Sequence, residues 1–188
     1  MSIRLFPGVV VAMMMVSMVS CDSRRTETTA EYNDTLGSSV TDTAVYGRCS
    51  AGTMMHTLEI VTDEGKTMQF VVDEERGSDV QGGLFAGDRI AVTYTEGADA
   101  NIAEKVINLT SLIGKWISLD RSFTLCEDGN VESDIKVETN PYTSWTSVNG
   151  NIVLNRDTFS VLSLGPDSLT LESDKGIFVY KREVRTKP

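Results

Sequence analysis

The 188-residue chain has one histidine, three cysteines, 7% aromatic residues, and 17 Lys and Arg against 27 Asp and Glu. Each shortage excludes a kind of chemistry. One imidazole cannot build a His-rich zinc centre. A catalytic triad would rest on His56 alone, with no G-x-S-x-G or comparable nucleophile motif beside it. A net charge of −10 and a pI near 4.6 run against nucleic-acid binding, which needs clustered Lys and Arg. No apolar run reaches the ~20 residues of a membrane-spanning helix. At ~100–200 residues per domain, the length holds one ordinary domain or two very small ones. Composition thus argues against an enzyme, a metal centre and a cofactor site.

What is present begins with residues 1–20, which carry Arg4, no acidic residue, and an apolar run from Leu5 to Val16 that thins into Ser17-Met18-Val19-Ser20. A run of that length has the form of a secretory signal. Met18-Val19-Ser20-Cys21 resembles the lipobox of bacterial lipoprotein signals, with Met18 where Leu is usual. The resemblance implies that Cys21 is acylated, becomes the N-terminus, and anchors the protein in the cell envelope, with the outer membrane as the expected location. An ordinary signal cut near Ser20 is the alternative. Cleavage there removes Arg4 and no acid, leaving 16 basic against 27 acidic residues. So anionic a body is held off anionic lipid, and acyl chains, at ~0.8 kcal/mol per buried CH₂, would make the attachment.

Residues 22–43 are dominated by Ser, Thr, Asp and Glu, with no period and few apolar side chains. Such a stretch cannot bury enough surface to offset its ordering entropy, and it reads as a disordered tether. Asp34-Thr35-Leu36, Asp42-Thr43-Ala44 and Asp167-Ser168-Leu169 resemble the acceptor motif of some bacterial envelope O-glycosylation systems. A plain polar linker is the alternative.

From residue 44 to 110 the apolar pattern has period two. Thr57-Leu58-Glu59-Ile60-Val61-Thr62 and Lys66-Thr67-Met68-Gln69-Phe70-Val71-Val72 flank Asp63-Glu64-Gly65, a hairpin signal that sets Leu58 and Ile60 against Met68, Phe70 and Val72. With strands expected at 45–50, 88–95 and 102–109, the segment predicts a small five-stranded antiparallel barrel of the OB or SH3 type. Residues 74–87 read as a loop. Its Gly82-Gly83-Leu84-Phe85 lacks the Gly-Lys-Ser/Thr ending and following helix of a phosphate loop, so Leu84 and Phe85 are expected to lid the barrel. Single-strand binding needs exposed aromatics in a basic groove, whereas Asp63, Glu64, Asp73, Glu74, Glu75 and Asp79 populate this segment.

Residues 111–184 are short alternating runs divided by Asp128-Gly129, Asn149-Gly150, Gly165-Pro166-Asp167 and Asp174-Lys175-Gly176. Asp-Gly and Asn-Gly are strong hairpin signals, so consecutive strands should pair. Strands at 115–119, 122–127, 130–137, 142–148, 151–154, 158–164, 168–172 and 177–182 make an up-and-down meander that can close into a second antiparallel barrel. Residues 185–188 are a tail. Both barrels are small enough that they should dock on each other.

Leu112-Ile113-Gly114-Lys115-Trp116, Phe123-Thr124-Leu125-Cys126-Glu127-Asp128-Gly129, Tyr142-Thr143-Ser144-Trp145, Gly150-Asn151-Ile152-Val153-Leu154, Ser168-Leu169-Thr170-Leu171 and Val179-Tyr180-Lys181-Arg182 together resemble the lipocalin-like domain of bacterial cell-envelope lipoproteins. The preceding barrel is similar to the segment that often accompanies that domain. The resemblance implies that Gly114 and Trp116 open the barrel and that Trp116 plugs its closed end, stacked on Arg182 or Lys181. It also implies a carrier of apolar ligands. The interior would be lined by Phe123, Leu125, Ile135, Val137, Trp145 and Val153, then Phe159, Val161, Leu169, Leu171, Phe178 and Tyr180. Strands this short equally allow those side chains to fill the barrel, and fold alone does not certify binding.

Cys49 and Cys126 fall in different barrels, as two buried thiols or an inter-barrel disulfide. Met54-Met55-His56 lacks a second His or a Cys pair to complete a copper site. Glu132 and Asp134 share a solvent-facing side of one strand, too hydrated for acid catalysis. Two readings follow: a non-enzymatic lipoprotein binding a small apolar ligand or lipid in the second barrel, or an interaction lipoprotein with filled barrels that docks another envelope component through an exposed apolar patch such as Leu84-Phe85.

Overall fold

Alternating apolar and polar side chains, punctuated by glycine turns, give strands almost throughout. The structure, a computed structural model, describes residues 31–33, 39–133 and 140–183. Strands β1 (Glu31–Asn33) and β2 (Ser39–Thr41) precede the first barrel, formed by β3 (Val45–Cys49), β4 (Thr57–Thr62), β5 (Thr67–Val71), β6 (Asp79–Gln81), β7 (Arg89–Glu96) and β8 (Asn101–Asn108). A one-turn helix α1 (Leu109–Leu112) leads to β9 (Gly114–Ile117), β10 (Ser122–Leu125), β11 (Val131–Ser133), β12 (Trp145–Val148), β13 (Asn151–Leu154), β14 (Asp157–Leu164), β15 (Ser168–Ser173) and β16 (Gly176–Arg182). No helix among the described residues is long and apolar enough to cross a membrane.

The first barrel runs β5-β4-β3-β7-β8 and closes where β5 meets β8 in parallel, Phe70 opposite Asn101 and Val71 opposite Ile102. Antiparallel β3–β7 pairing together with this parallel seam is the Greek-key closure of an OB-type barrel. Leu58 pairs with Phe70 and Ile60 with Met68, as the alternation requires, and Leu58, Ile60, Phe70, Ile90, Val92 and Val106 fill the interior. The loop expected at 74–87 is more ordered than its polarity suggested. Asp73 caps a 3₁₀ turn (Glu74–Arg76), and β6 adds in parallel to β8. A three-residue strand holding one apolar residue has no alternation to read.

The second barrel is an eight-stranded antiparallel meander in the order β11-β10-β9-β16-β15-β14-β13-β12. Its first and last strands join at Trp116–Arg182 and Ile117–Lys181. The opposite seam is held by an isolated Asn130–Ser144 bridge, so the barrel is nearly closed. Asn149 and Gly150 both take positive φ (48° and 70°), the two-residue turn that Asn-Gly favours. Asp134, Ile135 and Val137 lie outside the described residues, as do Cys21 and the signal.

The stretch read as a disordered tether needs one correction. β1 pairs with β2, and residues 41–43 clamp the Asn149 turn. Asn149 Nδ2 donates to Thr41 O (2.9 Å), its backbone N–H donates to Asp42 Oδ1 (3.0 Å), and Thr43 N donates to Asn149 Oδ1 (2.7 Å). Hydrogen bonds, which leave no hydropathy signature, provide this order.

The barrels are docked, not merely adjacent. Tyr46, Ala91 and Ile107 form a cross-strand row on the outer face of β3, β7 and β8, and all three pack into the core of the second barrel. Around this row, Tyr46 Oη lies 2.7 Å from Ser147 O, Lys105 Nζ donates to Val161 O (3.2 Å), and Leu164 N donates to Gln81 Oε1 (2.8 Å). Asn108, fully buried at the junction, caps α1 by accepting from Ser111 N and donates to Gly83 O and Asp88 Oδ2.

Candidate functional site

Four places could carry function: the two ends of the second barrel, its bore, and the crevice between the barrels.

At one end, Trp116 is completely buried and its Nε1 donates to Leu112 O (2.8 Å). The Arg182 guanidinium lies 4.1 Å from the indole centroid, the stacking distance of a cation–π pair. Arg182 also donates through Nε to Pro166 O (2.6 Å), through Nη1 to Ile113 O (2.7 Å), and through Nη2 to Ser111 O. Gly114 has φ +128°, and a Cβ there would come within 2.6 Å of Arg182 Nη1. Gly114, Trp116 and Arg182 are therefore one unit, the glycine making room for the arginine that covers the tryptophan. Burial lowers the Arg182 pKa, with Asp167 opposing it. The far end has a counterpart unmarked in the sequence: Arg121 lies 4.5 Å over the ring of Tyr142. Their partnership comes from strand closure and has no fixed spacing to find.

Between these ends the bore is crossed by rings. Tyr180 meets Phe123 (5.1 Å between centroids), Phe123 meets Tyr142 (5.7 Å), Tyr142 meets Phe159 (6.2 Å) and Phe159 meets Phe178 (5.9 Å), all edge to face. Leu125, Val161, Leu169 and Leu171 are buried with them. One expected lining residue is placed differently. Val153 is buried but sits on the outer face: its partners Thr146 and Thr158 are exposed, while Ile152 and Leu154 point inward. Three consecutive apolar residues give no phase, so the sequence could not choose. Trp145 stands opposite the inward Leu154 and packs half-buried against the core at the rim, its Nε1 donating to Cys126 O (2.8 Å), and it also lines the crevice between the barrels.

The barrels touch at the Tyr46-Ala91-Ile107 row and part beyond it. They leave a pocket of about 200 Å³ lined by Arg48, Arg89, Leu109, Ile113, Glu127 and Trp145, continuous through Arg89 and Trp145 with a wider cleft of about 510 Å³ that includes Asp42, Tyr46 and Asp63. Arg48 and Arg89 are directly opposite on β3 and β7, a like-charge pairing that costs a few tenths to ~1 kcal/mol. Asp63 relieves it, taking Arg89 Nη1 and Nη2 at 2.8 and 2.7 Å, and this bidentate bond holds the Asp63 carboxyl below its usual range. Arg48 donates only to Gly87 O (2.9 Å), and Glu127 has no hydrogen-bond or ionic partner among the described residues.

Tyr46 Oη faces two acceptors at 2.7 Å, Asp42 Oδ2 and Ser147 O. Burial first, and then the Asp42 carboxylate, push its pKa well above the ordinary phenol value. An unfolded chain would release this proton near pH 10 while the folded chain holds it, so stability should fall as pH rises above ~10. In an absorbance titration at 295 nm, the late, high-pH ionisation of the native protein should shrink by one tyrosine's amplitude in Tyr46→Phe.

The remaining candidates separate. Cys49 and Cys126 are free thiols; Cys49 is buried and Cys126 half-buried, its pKa raised by burial, then by Glu132 and Asp128, which disfavours the thiolate. Met54, Met55 and His56 are exposed, and no group of three or more His, Cys, Asp or Glu among the described residues could hold a metal. Leu84 packs against the first core, whereas Phe85 is 66% exposed, so the expected lid is half made. Comparison with family models, with curated proteins and with solved structures finds no match.

Proposed function

We propose that the chain is a non-enzymatic, lipid-anchored protein of the cell envelope whose two-barrel body is an interaction module, recognising its partner at the crevice between the barrels and not in the bore. The observation that carries this reading is the ring layer Tyr180-Phe123-Tyr142-Phe159-Phe178. Those side chains occupy the space a carried lipid would need, and an arginine covers an aromatic ring at each end. Small closed barrels are commonly filled in this way. The anchor rests on the lipobox resemblance at Cys21, and the acidic body is in keeping with attachment through acyl chains.

A native mass spectrum of the chain, released from detergent micelles after incubation with an envelope lipid extract, tests the solid bore. The expected result is a bare monomer. A stoichiometric lipid adduct, lost on denaturation and lost again in Val161→Trp while that variant remains folded, would restore the carrier reading.

A further inference from the structure

We infer that the crevice between the barrels binds a small zwitterion with an apolar middle, namely a free amino acid or a peptide of two or three residues. The inference rests on the proposal that the crevice, and not the bore, is the working surface.

The walls of the 200 Å³ pocket come from different barrels and carry opposite charge. Arg48 and Arg89 stand on the first barrel, and Glu127 stands on the turn after β10 of the second. The two sides do not neutralise each other: Arg89 is committed to Asp63, while Arg48 and Glu127 share one pocket without an ion pair between them. Other acids nearby are already engaged, Asp128 by Asn130 N and Nδ2, and Asp42 by Tyr46 Oη and the Asn149 N–H. Glu127 therefore has no hydrogen-bond or ionic partner among the described residues, and Arg48, within the field of Asp63, makes no salt bridge and donates only to Gly87 O; Leu109, Ile113 and the half-buried Trp145 line the same pocket. The Trp145 N–H is spent on Cys126 O, so the ring offers contact surface and no donor.

A ligand complementary to this arrangement presents a carboxylate to Arg48, an ammonium to Glu127, and an apolar side chain to Trp145. Arginine suits the carboxylate because its planar fork accepts two oxygens at once. A plain anion would leave Glu127 facing it, and a plain cation would leave Arg48. The like-charged Arg48–Arg89 pair also becomes less unfavourable once an anion lies over it. The wider cleft continues past Trp145, so a second or third residue can extend without leaving the groove.

The probes are L-leucine and L-alanyl-L-leucine, titrated calorimetrically into the full acylated chain in nonionic micelles, with the N-acetyl and C-amide forms of each as controls. Saturable one-to-one binding is expected. It should weaken by about tenfold or more when either terminus is blocked, and by a similar factor in Arg48→Met and in Glu127→Gln. Both substituted side chains are exposed, so the fold persists, and circular dichroism checks it. Absence of saturable binding by either probe at millimolar concentration overturns the inference, as does binding that survives a blocked terminus or both variants. Failure here is distinguishable from failure of the solid-bore proposal, because that proposal falls only if lipid enters the second barrel.

Discussion

Trp116→Ala is expected to lower the stability of the protein by about 3–5 kcal/mol, the range for emptying a fully buried large aromatic side chain. Trp116 has no exposed surface, and its removal strips three elements at once. The indole volume at the closed end is lost, the Leu112 carbonyl loses its donor, and Arg182 loses the ring beneath it. Trp116→Phe separates these effects. It keeps an aromatic surface under Arg182 and deletes the N–H, so about 1–3 kcal/mol should be lost for the stranded carbonyl. Arg182→Met removes the guanidinium from Pro166, Ile113 and Ser111 while preserving most of the side-chain length. A double-mutant cycle between Trp116→Ala and Arg182→Met should then show a coupling of about 0.5–2 kcal/mol. Urea unfolding followed by circular dichroism measures all four variants against the native protein. A loss below 1 kcal/mol for Trp116→Ala, or additive single effects, would mean that the barrel end is not held by this pair. Because Gly114 makes room for Arg182, Gly114→Ala should also destabilise, through both its φ of +128° and the crowding of Nη1.

The barrel architecture was legible because two local signals agree over most of the chain. Period-two alternation put Leu58, Ile60, Phe70, Phe123, Leu125, Phe159 and Val161 inside, and Asp-Gly and Asn-Gly placed the turns that pair consecutive strands. Both signals act over a few residues, which is also their limit. Closure through the parallel β5–β8 seam depends on partners about thirty residues apart in sequence, so OB and SH3 topologies remained open until that seam was seen. Val153 went to the wrong face because Ile152-Val153-Leu154 has no alternation, and only the exposed partners Thr146 and Thr158 fix its side. The Asn149 clamp on residues 41–43 was invisible for a different reason: its order comes from hydrogen bonds over a sequence separation above 100 residues. The crevice was wholly illegible. Arg48, Arg89, Glu127 and Trp145 share no motif, and their meeting is a consequence of how two barrels dock on the Tyr46-Ala91-Ile107 row.

Replacing Cys21 with Ser, together with an ordinary cleavable secretory signal in place of residues 1–20, should move the protein from the detergent phase to the aqueous phase of a cloud-point separation. The native chain should also be heavier than its polypeptide by the mass of several acyl chains. The expected shift is large because each buried CH₂ contributes ~0.8 kcal/mol; one chain holds a protein only marginally, and two or three hold it stably. Among the described residues no helix is long and apolar enough to cross a membrane. The body carries an excess of acidic residues and would be repelled by anionic lipid, and the apolar run from Leu5 to Val16 is too short to span a bilayer. Salt provides an independent discrimination: attachment by charge weakens as the Debye length shrinks to ~3 Å at 1 M, whereas acyl attachment does not. The native protein should therefore stay with membranes through a 1 M salt wash, and the Cys21→Ser protein should be absent from them in any buffer. If both proteins partition to the aqueous phase with unmodified masses, residues 1–20 are an ordinary signal and Cys21 is not acylated. The body would then be free in its compartment, and the crevice would have to find its partner by diffusion in solution and not along a membrane surface.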